Sequence, residues 1–153
     1  MNTPNAASRP VVFAYDGSGL AKHAIDEAGT LLGPATRDAL VLTVWRPFDL
    51  GFVPVTQLPF DAEQIADVRR AAEETAEAGA ALAHAAGFEA AGIAVEGAPA
   101  WKVIAATADE HDACLIVFGS HGRTGIGSAL LGSVAGSVAA HSRRSVLVVH
   151  GSA

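Results

Sequence analysis

The sequence predicts an α/β protein built on a doubly wound, five-stranded parallel sheet of the Rossmann-like kind. Short apolar runs alternate with longer segments of helical periodicity along the 153-residue chain. The runs are apolar at consecutive positions, which is typical of strands covered on both faces, and the segments between them are long enough for crossover helices. Hydrophobic residues make up 50% of the chain, yet no apolar stretch approaches the roughly 20 residues of a membrane-spanning helix.

The predicted elements alternate strand and helix from start to end, and a fifth strand closes the chain. Strands are predicted at 11–15, 40–45, 93–95, 114–118 and 146–150. Helices are predicted at 18–32, 61–86, 99–110 and 132–141. Ser18 and Asp61 are suitable helix N-caps, and Gln64 stands three residues after Asp61, as in a capping box. Pro99 suits the first turn of the third helix.

Residues 9–150 are predicted to form a single domain, because 153 residues allow one full core and leave no room for a second. Residues 1–8 are polar and resemble neither a signal nor a transit peptide, so they are predicted to be a flexible lead-in. Prolines and a glycine interrupt the pattern between 46 and 60, which predicts one long loop. This loop is interpreted either as a lid or dimer contact, or as a variable insertion.

Composition narrows the possible partners and the compartment. The net charge of −6 and the scattered basic residues exclude the electrostatic footprint of a nucleic-acid-binding protein. The single cysteine, Cys114, lies in an apolar run and cannot form an internal disulfide, which favours a cytoplasmic location. The six histidines show no metal-ligand spacing, so no structural zinc site is predicted. Neither a membrane nor a nucleic acid is expected as a partner.

Glycines follow the fourth predicted strand in a pattern that suggests a phosphate-binding loop. The pattern is Gly119-x2-Gly122-x9-Gly132-Ser133, and a predicted helix begins at its end. Glycines allow a ligand to approach the backbone, and the free N–H groups of a helix start attract anions. The loop lacks the Gly-Lys-Ser/Thr ending of a P-loop, and no Gly-x-Gly-x-x-Gly follows the first strand. The alternative is a glycine-rich connection without a ligand.

Several segments together resemble the universal stress protein family over nearly all of residues 9–150. The matching segments are Val-Val-Phe-Ala-Tyr-Asp-Gly-Ser at 11–18, Gly-x-Pro at 97–99, Asp-x-Cys-Leu-Ile-Val at 112–117, Gly-Ser-His-Gly-Arg-Thr-Gly at 119–125, Leu-Gly-Ser-Val at 131–134 and Ser-Val-Leu-Val-Val at 145–149. The intact glycine signature resembles the ATP-binding branch of that family. The resemblance implies the strand order 3-2-1-4-5. The turn Ser-Arg-Arg-Ser at 142–145 departs from the family's more usual Ala-Pro-Cys-Pro-like turn.

The resemblance also implies the contacts of an adenine nucleotide. Contacts to adenine and ribose are assigned to Ala14, Tyr15, Asp16 and Val44. Contacts to phosphate are assigned to Gly119, Ser120, His121, Gly122, Gly132, Ser133 and Val134. Asp16 is also the candidate for Mg2+, through water, because that ion keeps several waters and takes few carboxylates. The alternatives are a core role for Val44, a turn-shaping role for Asp16, and solvent exposure for the Ser120 and His121 side chains.

The function implied is that of an ATP-binding stress protein that uses ATP with Mg2+ as a signal and forms a homodimer through its last strand. No serine has an evident His-Asp partner, so at most slow ATP hydrolysis is expected. Two alternatives remain. One is an enzyme similar to adenine-nucleotide hydrolases, although their Ser-Gly-Gly-x-Asp-Ser type of loop is replaced by Asp-Gly-Ser at 16–18. The other is an interaction module without a ligand.

Overall fold

The computed structural model describes residues 9–33, 37–47, 61–121 and 131–151 of the chain. The strands are β1 (Val11–Ala14), β2 (Arg37–Trp45), β3 (Phe88–Glu96), β4 (Leu115–Gly119) and β5 (Ser145–Val149). The helices are α1 (Gly19–Leu32), α2 (Ala62–Ala85), α3 (Ala100–Glu110) and α4 (Ser133–His141). This alternation of five strands and four helices confirms the predicted fold class.

All strand pairs of the sheet are parallel, and the strand order is β3-β2-β1-β4-β5. The predicted order 3-2-1-4-5 is therefore confirmed. The order reverses at β1, which pairs with β2 on one side and with β4 on the other. Ligands of open α/β sheets bind beyond the carboxyl ends of the strands at such a reversal. The loops that follow β1 and β4 are thus the first place to look for a site.

The strands β2 and β3 are longer than predicted. Each spans nine residues, and their register pairs Arg37 with Phe88 at one end and Trp45 with Glu96 at the other. Polar residues at the start of β2, and small residues and glutamates in β3, hid this length, because apolar runs indicate only the fully covered part of a strand. Since β3 is an edge strand, it tolerates exposed side chains such as Glu89 and Glu96.

Two of the predicted helix starts are confirmed by capping hydrogen bonds. The Ala21 N–H donates to Ser18 Oγ at 3.2 Å, and the Gln64 N–H donates to Asp61 Oδ1 at 2.9 Å. The return bond of a capping box is missing among the described residues, because Gln64 Oε1 is buried without a hydrogen-bond partner. Pro99 is the N-cap of α3, not its first helical residue as predicted, and Ala100 begins the helix.

The sheet carries a hydrophobic core on each face. On the first face, α1 and α2 pack against residues such as Phe13 and Val41, and the rings of Phe13 and Phe88 meet edge-on at 5.2 Å. On the second face, α3 and α4 pack against residues such as Leu42 and Ile116. Cys114 is partly buried against the first core and is a free thiol.

The helix α2 packs closely on the sheet because two glycines remove side chains from the contact. A Cβ on Gly79 would lie 2.7 Å from the Tyr15 ring, and a Cβ on Gly92 would lie 2.6 Å from the Ala76 backbone. The helix backbone therefore meets a side chain of the sheet at Gly79 and the sheet backbone at Gly92. No helix in the described part of the chain is long and apolar enough to cross a membrane.

Candidate functional site

The loops after β1 and β4 lie side by side at the carboxyl edge of the sheet. The register pairs Val11, Val12 and Phe13 of β1 with residues 115–117 of β4. Parallel neighbours leave the sheet at the same edge, so the turn 15–18 and the segment that begins at Gly119 start from adjacent positions. The juxtaposition expected from the sequence is therefore present at the reversal of the strand order.

The turn after β1 is ordered by its own polar side chains. The Ser18 N–H donates to Asp16 Oδ1 at 3.0 Å, and Ser18 Oγ caps α1. Gly17 has a φ of +80°, which favours glycine, and a Cβ there would lie 3.5 Å from Thr75 Cγ2 of α2. The turn-shaping role of Asp16 is thus observed, and the residue is partly buried. A carboxylate has two acceptor oxygens and can serve more than one partner at once.

Tyr15 connects this turn to the core. Its side chain is 5% exposed and lies against Gly79 of α2. Burial raises the pKa of the Tyr15 phenol, and the neighbouring charge of Asp16 raises it further. The backbone of Tyr15 forms two bonds with β2: its N–H donates to the Leu42 carbonyl at 2.9 Å, and its carbonyl accepts from Thr43 Oγ1 at 2.9 Å.

Ala14 and Val44 are both partly buried at this edge, on the face of the second core. Ala14 is the last residue of β1 and pairs with Leu42. Since β2 continues for three residues past Leu42, Val44 lies beyond the point where β1 has ended. The backbone of Val44 is therefore next to the turn that carries Asp16, as the predicted adenine contact requires. Its side chain also joins the core, so both interpretations of Val44 are compatible with its position.

Gly119 and Ser120 have structural roles that the sequence did not reveal. A Cβ on Gly119 would lie 2.7 Å from Leu20 Cγ, so glycine is required there for the packing of α1. The Ser120 N–H donates to the Val149 carbonyl at 2.8 Å, and the Ser120 carbonyl accepts from the Gly132 N–H at 2.7 Å. Ser120 is 2% exposed. Its two backbone groups therefore hold the start of α4 and the end of β5 together.

The start of α4 has the geometry of an anion-binding helix terminus. Gly132 is the N-cap, and it offers no side chain to bond the first helical N–H groups. Those of Ser133, Val134 and Ala135 have no acceptor within an α-helix. Ser133 and Val134 are exposed. A Cβ on Gly132 would lie 3.1 Å from the Ser120 carbonyl oxygen, so the close approach of these two segments depends on glycine.

The remaining phosphate candidates divide between described and undescribed residues. His121 is partly buried and directly follows Ser120, and its Nδ1 would lie 4.0 Å from a Cβ on Gly132. Gly122 lies outside the described residues, as do the loop segments 122–130 and 48–60. The predicted lid or dimer contact at 46–60 therefore falls almost entirely outside them.

A metal site made of protein side chains alone is absent from the described ranges, where no group of three or more His, Cys, Asp or Glu residues could hold an ion. Mg2+ bound to a nucleotide needs only one or two carboxylates, because phosphates and waters supply its other ligands. Asp16, in the turn after β1, supplies one carboxylate, which fits that requirement. The helix start offers N–H groups suited to phosphate.

A second concavity at the same edge is less suited to phosphate. It is a groove of about 670 Å³ between the start of α2 and the ends of β2 and β3, with Trp45 and Ile65 among its apolar lining residues. Its two arginines are already paired: Arg69 contacts Glu73 at 2.8 Å, and Arg70 contacts Asp67 at 3.3 Å. The groove therefore provides little positive field for an anion.

Sequence reasoning missed Thr43, Gly79 and Leu20, which support the site from behind. Thr43 bonds the Tyr15 carbonyl, and Gly79 makes room for the Tyr15 ring. Leu20 packs so close to position 119 that only glycine fits there. One signal for Thr43 was present, because it is the one polar residue within the apolar run 40–45. The other two had no local signal, since their partners are distant in sequence.

Comparisons with known proteins agree with this architecture. The family model described as "Universal stress protein family" matches residues 7–150. Among solved structures, the hypothetical protein MJ0577 is similar with a TM-score of 0.74 and 24% identity, over 97% of this chain and 99% of that one. A universal stress protein in complex with cAMP is similar with a TM-score of 0.64 and 28% identity, over 96% of this chain and 100% of that one.

A third structure, the universal stress protein from Archaeoglobus fulgidus in complex with dAMP, has a TM-score of 0.61 and 21% identity, over 93% of this chain and 98% of that one. No curated protein matches this chain. The family model covers most of the chain, and its residues include both loops of the candidate site. The chain belongs to the universal stress protein family.

Proposed function

We propose that this protein binds an adenine nucleotide, ATP with Mg2+, beyond the carboxyl ends of β1, β2 and β4. It acts in the cytoplasm as a nucleotide-responsive regulator of the stress response. The observation that carries the proposal is the start of α4, where an N-cap glycine leaves backbone N–H groups available beside the β4 loop. Such a terminus attracts phosphate through its N–H groups and its dipole.

Two further observations support an adenine nucleotide as the ligand. The turn 15–18 follows β1, the Val44 backbone lies beyond the end of β1, and β1 pairs with β4, whose following residue Ser120 bonds the N-cap of α4. A nucleoside and its phosphates would thus each have a suitable surface. The relative in complex with cAMP, at 28% identity, has an adenine nucleotide bound. In this arrangement, Ala14, Tyr15, Asp16 and Val44 contact the nucleoside. Gly119, Ser120, His121, Gly122, Gly132, Ser133 and Val134 line the phosphates.

The role of each group follows from its chemistry. The exposed Ser133 and Val134 N–H groups donate to phosphate oxygens, and the Ser133 hydroxyl adds a further donor. Asp16 takes part in binding Mg2+ through water. Mg2+, when bound, neutralises phosphate charge. The sequence offers no serine with an evident His-Asp partner, so the nucleotide is expected to persist as a signal.

Calorimetric titration with ATP, AMP and cyclic AMP, each with Mg2+ or with EDTA, tests this proposal. The expected result is binding of ATP that is stronger with Mg2+ than with EDTA. Titration with GTP is the control that tests whether binding depends on the adenine base. Binding of none of these ligands at millimolar concentration would contradict the proposal and favour the interaction module, whereas rapid release of phosphate in a single turnover would favour the hydrolase.

The proposal includes a homodimer formed through β5. In the described sheet this strand pairs only with β4, and Val146, Leu147 and Val148 along it are only partly buried. An apolar edge of this kind is a template for pairing with a second chain. Val148→Lys is expected to weaken the dimer, and Ser145→Lys is the control because Ser145 is already exposed. Sedimentation of the parent as a monomer at tens of micromolar would refute this part.

A further inference from the structure

The hydrogen bonds between β1 and β2 end in an unusual way. The backbone pairing runs from Val11↔Ala39 to Ala14↔Leu42, and the Tyr15 N–H then donates to the Leu42 carbonyl at 2.9 Å. The Tyr15 carbonyl accepts from a side chain, Thr43 Oγ1, at 2.9 Å. Thr43 is 3% exposed, so this bond is shielded from water. A hydroxyl thus bonds the last carbonyl at this edge of the strand pair.

A regular parallel ladder would bond the same carbonyl differently. In such a ladder, the N–H of a residue donates to a carbonyl on the neighbouring strand. Its own carbonyl then accepts from the N–H two positions further along that strand. Tyr15 donates to Leu42, so its carbonyl would accept from the Val44 N–H. Backbone groups alternate in direction along a strand. The Val44 N–H and carbonyl therefore point the same way as the Leu42 carbonyl, which is toward the β1 side of β2. β1 has ended at that position.

From this geometry we propose that Thr43 is a positioning residue that keeps the Val44 peptide groups available to the adenine base. The Thr43 hydroxyl satisfies the Tyr15 carbonyl and so ends the ladder one bond early. This inference rests on the proposed function, which it deepens by naming what sets the preference for the base. Adenine presents an acceptor, N1, beside the donor N6 amino group, which matches one N–H and one carbonyl. Guanine presents a donor and an acceptor in the opposite order and would leave these groups unpaired.

The surroundings of Tyr15 make the hydroxyl the deciding group. The Tyr15 ring is buried against Gly79 of α2, and the contact leaves no room for a side chain at position 79. The Tyr15 backbone is also tied to Leu42. The turn therefore stays close to β2 whether or not the hydroxyl is present. When the hydroxyl is absent, the donor that a regular parallel ladder brings to the Tyr15 carbonyl is the Val44 N–H.

The first test uses the ligand-free protein and hydrogen exchange of the Val44 amide, followed by NMR. Thr43→Val is expected to slow exchange at Val44 by about tenfold or more, because the amide gains a buried acceptor. Thr43→Ser keeps a hydroxyl and is expected to exchange as the parent does. Thr107→Val is the matched control, since Thr107 is 4% exposed and lies on α3. Equal Val44 exchange in the parent, Thr43→Val and Thr43→Ser would overturn the inference.

The second test measures nucleotide affinity in the same variants. Thr43→Val is expected to weaken AMP and ATP by the same factor, about tenfold, because the change lies at the base and not at the phosphates. GTP should be affected less, so the preference for ATP over GTP falls, and Thr43→Ser should restore it. A merely structural role would weaken all three nucleotides alike and would also overturn the inference.

The two tests separate this inference from the proposed function. If the parent binds no nucleotide, the proposed function fails, and the role of Thr43 toward a base fails with it. If the parent binds ATP but Thr43→Val binds it equally well, only the role of Thr43 fails. Thermal melting of each variant shows whether the fold is retained, and Thr43→Ala, which also lacks the hydroxyl, replaces Thr43→Val where that variant is too unstable to use.

Discussion

The two ends of the sheet are held by different kinds of interaction. At the amino end, Arg144 bonds Asp109 at 2.7 Å, Asp112 at 2.6 Å and the Ala113 carbonyl at 3.2 Å. Arg9 also contacts Asp112, at 3.3 Å. At the carboxyl end, backbone bonds, a threonine hydroxyl and close glycine packing join the loops. Charged side chains thus satisfy one another at the amino end, whereas the carboxyl end exposes the residues that carry the first N–H groups of α4.

With the proposed function, this contrast assigns stability to the amino end and binding to the carboxyl end. The Arg144 side chain is only 19% exposed, and it links the start of β5 to the turn between α3 and β4. The turn 142–145, which departs from the usual family pattern, therefore has a structural partner. Variants at the two ends should separate affinity from stability.

The largest effect is expected for Gly132→Val at the carboxyl end. A Cβ at this position lies 3.1 Å from the Ser120 carbonyl oxygen, so a branched side chain should displace the start of α4. Nucleotide affinity is expected to fall about 100-fold or more, which corresponds to about 2.7 kcal/mol. Circular dichroism should remain helical. Titration calorimetry measures the affinity.

Gly132→Ala and Gly136→Ala form a matched pair, because they add the same methyl group at a crowded and at an open position of the same segment. A Cβ on Gly136 would meet nothing within 4 Å, and this residue lies inside α4, where alanine is the better helix former. Gly136→Ala should therefore bind nucleotide as the parent does. Equal affinity of the parent and Gly132→Val would show that the start of α4 does not bind the phosphates.

At the amino end, Arg144→Met is expected to lower the melting temperature and leave nucleotide affinity unchanged. The variant leaves Asp109 and Asp112 without their shared partner while it keeps most of the aliphatic side chain. Arg143→Met is the control, because Arg143 is exposed and precedes Arg144 directly. Differential scanning calorimetry compares the two variants. An equal melting temperature for both would mean that the ion cluster contributes nothing measurable.

A smaller effect is expected at the same end, in the way that the stability of the protein depends on pH through Asp112. The hydrogen bond from Arg144, followed by the charge of Arg9, lowers the pKa of Asp112 below its ordinary value of 3.8. Because the folded pKa is the lower one, the stabilisation is complete above the unfolded pKa and is lost as pH falls through the folded pKa. The loss is therefore expected in the acid range below about 3.8, and not between neutral pH and 5.

Asp112→Asn isolates this charge. Asp112 has a φ of +48°, and asparagine tolerates the left-handed region as well as aspartate does. Acid unfolding followed by circular dichroism should show a weaker dependence on pH in the variant than in the parent. Identical acid curves would contradict a role for the Asp112 charge.

The smallest effect is expected for Asp16→Ala. This change removes the acceptor of the Ser18 N–H and the candidate partner of Mg2+, so ATP affinity should fall by about fivefold, and the fall should shrink in EDTA. Any turnover should already be far below the enzyme median of about 10 per second, and it should change less than affinity does. Rapid phosphate release that Asp16→Ala abolishes at saturating ATP would identify an enzyme instead.

Local patterns were enough to predict the secondary structure around the site. Ser18 and Asp61 cap their helices as predicted because an N-cap depends on a donor only three residues away. Gln64 did not complete its capping box, and Pro99 lies one position before the helix that it was expected to enter. The ends of β2 and β3 were also missed, because β2 begins with two exposed polar residues and β3, an edge strand, carries exposed residues along its length.

The sequence by itself determined the alternation of strands and helices, and its resemblance to a known family supplied the strand order and the candidate site residues. Only the tertiary structure decided why particular residues stand where they do. Gly119 meets Leu20, Thr43 bonds the Tyr15 carbonyl, and Arg144 joins Asp109 to Asp112. The physical reason is one of range. Periodicity and capping act between residues a few positions apart, whereas these contacts join residues that only the folded sheet brings together.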